Sequence, residues 1–277
     1  MAGLPLTSRD PVFDELAAGS DREALRYAAF CADRLVTRLS PRRGEKVLDV
    51  AAGTGHVALA AAQAVGADGR VVAIDTLEPL LARLESKIAK FGLANIDVHH
   101  MDGVRLDFRR DYFHHVVCSL GLFRLSDPAA ALREWWRVLR PDGNVLFATF
   151  SANVFAPWLD DLRRRLEQAG ARMTPPWEPL SDRRTLESMA RAAGFEDVEI
   201  DEEQLGYHLE NAQQWWEVVQ YSGLWSPINP SPTPVVELVQ SEHLSAVASG
   251  MTKDGLWLDV PVLFVHGRKT AGAKNNG

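Results

Sequence analysis

Between Lys46 and His56 the chain reads Lys-Val-Leu-Asp-Val-Ala-Ala-Gly-Thr-Gly-His, and this stretch constrains the fold more than any other. Val47 to Val50 is apolar except for Asp49, which predicts a strand buried on both faces. Ala51 to Gly55 then offers only small side chains, so a ligand can approach the backbone closely. The Ala-rich run from Val57 to Ala62 predicts a helix whose N-terminus points at that same turn. Strand, glycine turn and helix in this order predict an α/β fold with a parallel sheet.

Two ligands compete for the turn. Gly53-Thr54-Gly55-His56-Val57-Ala58 fits the glycine spacing of dinucleotide-binding turns, with Ala in the third glycine place. A pyrophosphate needs bare amides, however, and Asp49 puts a carboxylate just before them. A cationic ligand gains from that charge. Val47-Leu-Asp-Val-Ala-Ala-Gly-Thr-Gly55 resembles the first motif of class I S-adenosylmethionine-dependent methyltransferases, whose cofactor carries a sulfonium and an ammonium group. The usual pattern has Gly where this chain has Ala51.

Arg70-Val-Val-Ala-Ile-Asp75 predicts a second strand ending in an acid, one strand–helix–strand unit after the turn. A carboxylate accepts two hydrogen bonds and donates none, so Asp75 suits a pair of ribose hydroxyls in either reading. The alternative role for Asp75 is a helix cap for Glu78-Pro79-Leu80. A helix from Pro79 to Lys90 leads to a third strand, Ile96 to Met101, followed by Asp102-Gly103. His99 and His100 lie inside that strand without acidic or Cys partners at ligand spacing, and no metal site is expected. Tyr112 to Ser119 predicts a fourth strand, and Leu120 to Leu125 follows it. The resemblance implies that Thr76 and Leu77 flank the adenine ring, that Asp102 and Gly103 bond it, and that Ser119 and Leu120 face the methyl group. Asp49, Ala51, Gly53, Thr54 and Gly55 complete the expected cofactor site. The chain lacks the Asn/Asp-Pro-Pro-aromatic run of base and amide methyltransferases at the fourth strand end. A helix from Ala129 to Leu139, a turn at Arg140-Pro-Asp-Gly143 and a strand from Asn144 to Phe150 come next. Ala131-Leu-Arg-Glu-Trp-Trp-Arg-Val-Leu-Arg-Pro-Asp-Gly143 resembles the small-molecule methyltransferases related to ubiquinone and menaquinone biosynthesis enzymes, with Trp135 and Trp136 as packing residues.

Ahead of the glycine turn, residues 1–40 are expected to form an arm and a helix over Asp21 to Leu39, started by Ser20 or Asp21 and ended by Pro41. Phe13, Tyr27 and Phe30 are its lid candidates. Residues 41–150 form the cofactor-binding core and residues 151–193 a helical connection, with helices from Phe155 to Glu167 and from Ser181 to Ala193. Residues 194–267 hold the end of the sheet, a strand from Phe195 to Glu203 and a last strand from Leu256 to Gly267. A helical cap is inserted at about 207–252, with helices from Asn211 to Gly223 and Val235 to Gly250 around a proline-rich link. Residues 268–277 are a flexible tail. The expected architecture is a Rossmann-like doubly wound seven-stranded sheet whose last strand runs antiparallel beside the fifth.

With 46% hydrophobic residues in 277, the chain can bury one large core. The net charge of −7 argues against a surface that tracks phosphates, hence against nucleic acid. Cys31 and Cys118 are the only cysteines, too few for a disulfide framework or zinc spacing, and are expected to be buried. No apolar run reaches a membrane span, and the expected location is the cytoplasm.

The insertion is rich in aromatics, and Tyr27, Phe123, Phe155, Trp158, Trp215 and Tyr221 are the substrate-pocket candidates, set against plain anchoring of the helices. Methyl transfer from a sulfonium needs mainly alignment and desolvation. His114, His115, His208 and His243 are base candidates by type, and no catalytic residue is assigned. The expected function is methyl transfer from S-adenosylmethionine to a small, largely apolar or aromatic acceptor, with a homodimer through the inserted helices. The alternatives are an NAD-dependent oxidoreductase, disfavoured by Asp49 and the final strand, and a regulatory protein that binds S-adenosylmethionine without turnover.

Overall fold

The structure, a computed structural model, describes residue 14, residues 17–224 and residues 233–270. Five parallel strands carry the chain's apolar runs: β1 (Lys46–Val50), β2 (Arg70–Asp75), β3 (Ile96–His100), β4 (Phe113–Ser119) and β5 (Leu139–Phe150). Two further strands, β6 (Glu196–Gln204) and β9 (Pro261–Arg268), complete a seven-stranded sheet in the order β3-β2-β1-β4-β5-β9-β6. β9 runs antiparallel between β5 and β6, pairing Phe150 with Val262 and Asn144 with Arg268. The expected antiparallel strand beside the fifth is therefore present. β1 pairs with both β2 and β4, so the strand order reverses there, and a crevice opens at the carboxyl ends of the two strands.

The helices flank the sheet. α1 (Tyr27–Leu39), α2 (His56–Val65), α3 (Glu78–Phe91) and α4 (Pro128–Val138) belong to the parallel half. Their limits follow local chemistry. Asp127 accepts the Ala130 amide at 2.9 Å ahead of α4, where Pro128 takes the first turn. Trp135 and Trp136 on α4 are buried and donate their indole N–H groups to the carbonyls of Gly103 and Gly194, which bears out packing roles for both. Cys31 and Cys118 are buried free thiols, as expected.

The second half adds α5 (Trp158–Gln168), α6 (Arg183–Ala192), α7 (Ala212–Tyr221) and α8 (Thr233–Ser249). A small ribbon of β7 (Tyr207–Leu209) against β8 (Leu256–Leu258) joins them. The single last strand expected from Leu256 to Gly267 is thus two. Pro261 cannot donate to a ladder, and the chain leaves the ribbon at Asp259 before entering the main sheet. Three further expectations shift. α1 begins only at Tyr27, behind a 3-10 turn at Glu23–Leu25, and neither Ser20 nor Asp21 caps it. Arg140 to Gly143 is drawn into β5 instead of forming a free turn, with Asp142 left-handed at φ 63°. Arg268 and Lys269, expected in a tail, are held at the end of the sheet. Arg268 ends β9, and the buried Lys269 ammonium donates to Asp111 and to the carbonyls of Trp136 and Leu139. Phe13, most of the proline-rich link and residues 271–277 lie outside the described residues.

The outer strand β6 carries Glu196, Asp197, Glu199, Asp201, Glu202 and Glu203. Arg34 and Arg38 of α1 reach Glu203, and Arg38 also reaches Asp201. Among the described residues no helix is long and apolar enough to cross a membrane.

Three helices of the second half meet at one buried histidine. The Trp215 indole on α7 donates to His243 Nε2 at 2.7 Å, and His243 Nδ1 lies 2.8 Å from the Asp161 carboxylate of α5. This fixes a neutral imidazole protonated on Nδ1, since a proton on Nε2 would face the indole N–H. Burial pulls the His243 pKa below its ordinary value, and Asp161 offsets only part of that. The unfolded chain then binds the proton more tightly, so the contribution is complete above pH ~6.5 and is lost as pH falls through the native pKa. The thermal midpoint should drop between pH ~7.5 and ~5.5, and drop less in His243→Gln. Equal drops would shift the acid sensitivity to His114, His115 and His266, whose pKa values burial also lowers.

Candidate active site

At the end of β1, Ala51, Gly53 and Gly55 all adopt positive φ, at 55°, 55° and 90°. Left-handed backbone suits glycine, so Ala51 holds a strained conformation worth roughly 1–2 kcal/mol. A β-carbon on Gly55 would overlap Leu84, whereas nothing lies within 4 Å of such an atom on Gly53. The bare backbone of Gly53 therefore faces open space, as a ligand-cradling turn requires.

Two acids stand beneath this turn. Asp75, 8% exposed at the end of β2, accepts the Gly53 amide at 2.9 Å and the Leu77 amide at 3.0 Å. The acid of one strand thereby fixes the glycine turn of its neighbour. It also ties down the Leu77 amide ahead of α3, but Leu77 is the N-cap and no side chain caps the helix, so the cap alternative for Asp75 is not what the structure shows. Burial raises its pKa against the pull of these amides. Asp49 is 1% exposed, and its Oδ2 has no hydrogen-bond partner among the described residues. Burial, with the nearby Asp75 charge adding to it, pushes the Asp49 carboxyl well above the usual carboxylate range, while the Ala58 amide opposes the shift.

The remaining expected cofactor residues surround the same crevice. Asp102, just past β3, accepts the Val104 amide at 3.0 Å, and the Gly103 carbonyl takes the Trp135 indole at 3.0 Å. The Thr76 carbonyl lies 3.0 Å from His100 Nε2, which gives that histidine a structural partner. Ser119 and Leu120 end β4, with the Ser119 hydroxyl 3.4 Å from Cys31 Sγ and Leu120 left-handed at φ 52°. Thr54 is turned elsewhere. Its hydroxyl donates to Asp21 at 2.7 Å, an oxygen that the Lys87 ammonium also reaches at 2.8 Å. Burial alone would raise the Asp21 pKa, yet the bonds from His56, Lys87 and Thr54 hold it far below the carboxylate range. Asp21, read from sequence as a helix cap, is instead the clamp between the N-terminal segment and the glycine turn.

Four of the six substrate-pocket candidates come together. Tyr27, Phe123 and Phe155 pack around Phe150 with ring centroids 5.4–6.0 Å apart, and Trp215 adjoins Phe155 at 6.1 Å. Trp177, 4.8 Å from Phe150, completes an aromatic wall at the end of β5 whose rings are all buried in the core, so each of them also anchors the fold. Trp158 packs against Gly250, and Tyr221 against Gly19 and the Arg22 guanidinium, both away from this wall. Sequence reasoning left Phe150 unassigned, although it ends β5 just as Asp75 and Ser119 end their strands.

The histidines considered as bases lie elsewhere. His114 Nδ1 accepts the Lys46 amide and His115 pairs with Glu45, both at the amino end of the parallel strands. His243 is locked inside the second half, and His208 meets the Trp257 ring edge-on. Among the described residues no group of three or more His, Cys, Asp or Glu could hold a metal.

This sheet order, with its antiparallel penultimate strand and the acid-backed glycine turn, is that of α/β S-adenosylmethionine-dependent methyltransferases. A methyltransferase from Aquifex aeolicus described as dependent on S-adenosylmethionine shares the fold at a TM-score of 0.57 and 16% identity, over 93% of this chain and 98% of that one. The ubiE/COQ5 methyltransferase family model matches residues 26–161. The ubiquinone/menaquinone biosynthesis C-methyltransferase of Cronobacter sakazakii is 31% identical over 172 residues, 57% of this chain and 68% of that protein. The nocamycin O-methyltransferase of Saccharothrix syringae is 35% identical over 134 residues, 48% of each chain. The chain belongs to the ubiE/COQ5 methyltransferase family. It is a methyltransferase, and the oxidoreductase alternative falls away.

Proposed function

We propose that the chain binds S-adenosylmethionine at the carboxyl ends of β1, β2 and β4 and methylates a small, flat, largely apolar acceptor held against the aromatic wall. The observation that carries this reading is the pair of buried acids under one open glycine turn. Asp75 has lone pairs left for a diol, and the unpartnered Asp49 oxygen suits a ligand that brings positive charge or N–H donors. Asp49 is an unfavourable neighbour for a pyrophosphate, whereas Asp75 suits the ribose of either cofactor.

The cofactor supplies an activated methyl group: the acceptor's electron pair forms the new bond to carbon as the carbon–sulfur bond breaks and its pair returns to sulfur. The protein's part is alignment and dryness. Gly53, the Thr54 backbone and Asp75 orient the nucleoside half, and Asp102 with Gly103 borders the ring. Ser119 and Leu120 set the floor at the reacting centre, and Tyr27, Phe123, Phe150 and Trp177 exclude water from it. None of the histidines considered serves as base, so an acceptor that is already electron-rich or ionised fits the site. Relatives named for quinone C-methylation and for nocamycin O-methylation support carbon or oxygen as the methylated atom.

Calorimetric titration with S-adenosylmethionine, S-adenosylhomocysteine and NAD tests the reading. Micromolar binding of the first two and none of NAD is expected. Binding of NAD alone would overturn it.

A further inference from the structure

Asp21 is the meeting point of several elements and takes no part in the chemistry of methyl transfer. One of its carboxylate oxygens accepts the Thr54 hydroxyl at 2.7 Å and the Lys87 ammonium at 2.8 Å, and His56 Nε2 lies 3.4 Å from the same oxygen. Lys87 also donates to the Thr54 carbonyl at 3.0 Å, so one ammonium holds both the glycine turn and the N-terminal segment. These partners belong to the turn, to the start of α2 and to α3, where Leu84 on the preceding helical turn packs on Gly55. Charge-assisted bonds that converge on one oxygen outdo a lone exposed ion pair, yet the Asp21 side chain keeps 28% of its surface open to water. Such a contact is strong enough to hold and weak enough to release.

The stretch that carries Asp21 crosses the cleft. Asp21 touches the turn after β1, whereas further along the chain the Tyr27 ring lies 5.6 Å from Phe150 at the end of β5, and Cys31 Sγ lies 3.4 Å from the Ser119 hydroxyl at the end of β4. The chain therefore passes the carboxyl ends of β1, β4 and β5, and with them the crevice where the strand order reverses. The same stretch is tied to α7: Arg22 pairs with Glu217 at 2.8 Å and sits over the Tyr221 ring, and a β-carbon on Gly19 would lie 2.1 Å from that ring. Only glycine allows so close an approach. From Ala24 onward the chain is anchored, because Ala24 and Leu25 are buried and the Tyr207 hydroxyl donates to the Ala24 carbonyl at 2.7 Å. Before that point the backbone bonds of Ser20 and Arg22 reach back only to Ala17 and Gly19, and side chains tie the stretch to its surroundings.

We propose that residues 17–22 form a strap across the cofactor crevice, latched by Asp21 onto Thr54 and Lys87 and held on α7 by Arg22 and Gly19, and that S-adenosylmethionine and S-adenosylhomocysteine exchange when this latch opens. The inference rests on the methyltransferase reading above. Asp21 is then a positioning residue that acts through Thr54 and sets how fast the spent cofactor leaves.

The test measures release of S-adenosylhomocysteine. Protein loaded with the tritiated compound is chased with excess unlabelled compound, and the dissociation rate is compared among wild type, Asp21→Asn and Arg22→Gln. Asp21→Asn keeps the shape of the side chain and removes its charge, and is expected to release about tenfold faster. Arg22→Gln touches nothing of the glycine turn, so a strap predicts a rise of a few-fold there as well, whereas a prop for the turn alone predicts none. Faster release in both variants, at native thermal midpoints, supports the strap. Release within about twofold of wild type in Asp21→Asn overturns it, and so does faster release in Asp21→Asn with an unchanged rate in Arg22→Gln. Should Asp21→Asn not fold, Lys87→Met, which removes the ammonium and keeps the stem, takes its place in the same comparison. Failure of wild type to bind S-adenosylhomocysteine would instead remove the methyltransferase reading itself.

Discussion

Alanine at Asp75 is expected to weaken S-adenosylhomocysteine binding by about ten- to a hundredfold, the range given by ~1.5–3 kcal/mol for hydrogen bonds to a charged group. Two losses combine. The carboxylate no longer meets the nucleoside, and the Gly53 and Leu77 amides lose the acceptor that holds the turn in shape. Asp75→Asn keeps one acceptor oxygen and should fall between wild type and Asp75→Ala. Calorimetry on variants with native circular dichroism decides the matter, and an unchanged dissociation constant for Asp75→Ala would sink the assignment.

The largest effect on stability is expected at Trp135. Its side chain is fully buried, stacks edge-on against Phe147 at 6.3 Å, and donates to the Gly103 carbonyl. Trp135→Ala removes that volume and should cost ~3–5 kcal/mol in urea unfolding. Trp135→Phe refills most of the space but leaves a buried carbonyl without its donor, for about 1–3 kcal/mol. Because that carbonyl belongs to the loop of Asp102 and Gly103, the Phe variant should also bind S-adenosylhomocysteine more weakly. A loss below ~1 kcal/mol for the alanine variant would show that the core closes over the gap.

What could be read from the sequence was what is settled by neighbours along the chain. The run Val47 to Val50, the glycine turn and the Ala-rich helix lie within one short segment, and each agrees with the next. The starts of α4, α6 and α7 follow Asp127, Asp182 and Asn211, whose side chains accept amides three residues on. The misread parts depend on distant partners. Leu256 to Leu258 continues the apolar pattern of β9, yet it pairs with Tyr207 to Leu209, and no local signal marks the change of sheet. Asp21 has the type and place of a helix cap, but Thr54 and Lys87, remote in sequence, compete for it and win. For the site, strand-end logic pointed to Asp75, and the family resemblance to Asp102 and Ser119. Strand-end logic carried on to β5 reaches Phe150.

The acidic outer strand β6 has a bearing on how the molecule behaves in a crowd. An open sheet leaves unpaired amides and carbonyls along its last strand, and these recruit any other strand that comes close. Here an approaching copy of β6 would set Asp197, Glu199 and Asp201 against their own counterparts, and Arg34 and Arg38 are already engaged on the home side. Like charges brought opposite one another across a ladder destabilise it. Growth of the sheet from that edge is therefore opposed by charge, as growth from a neutral edge would not be.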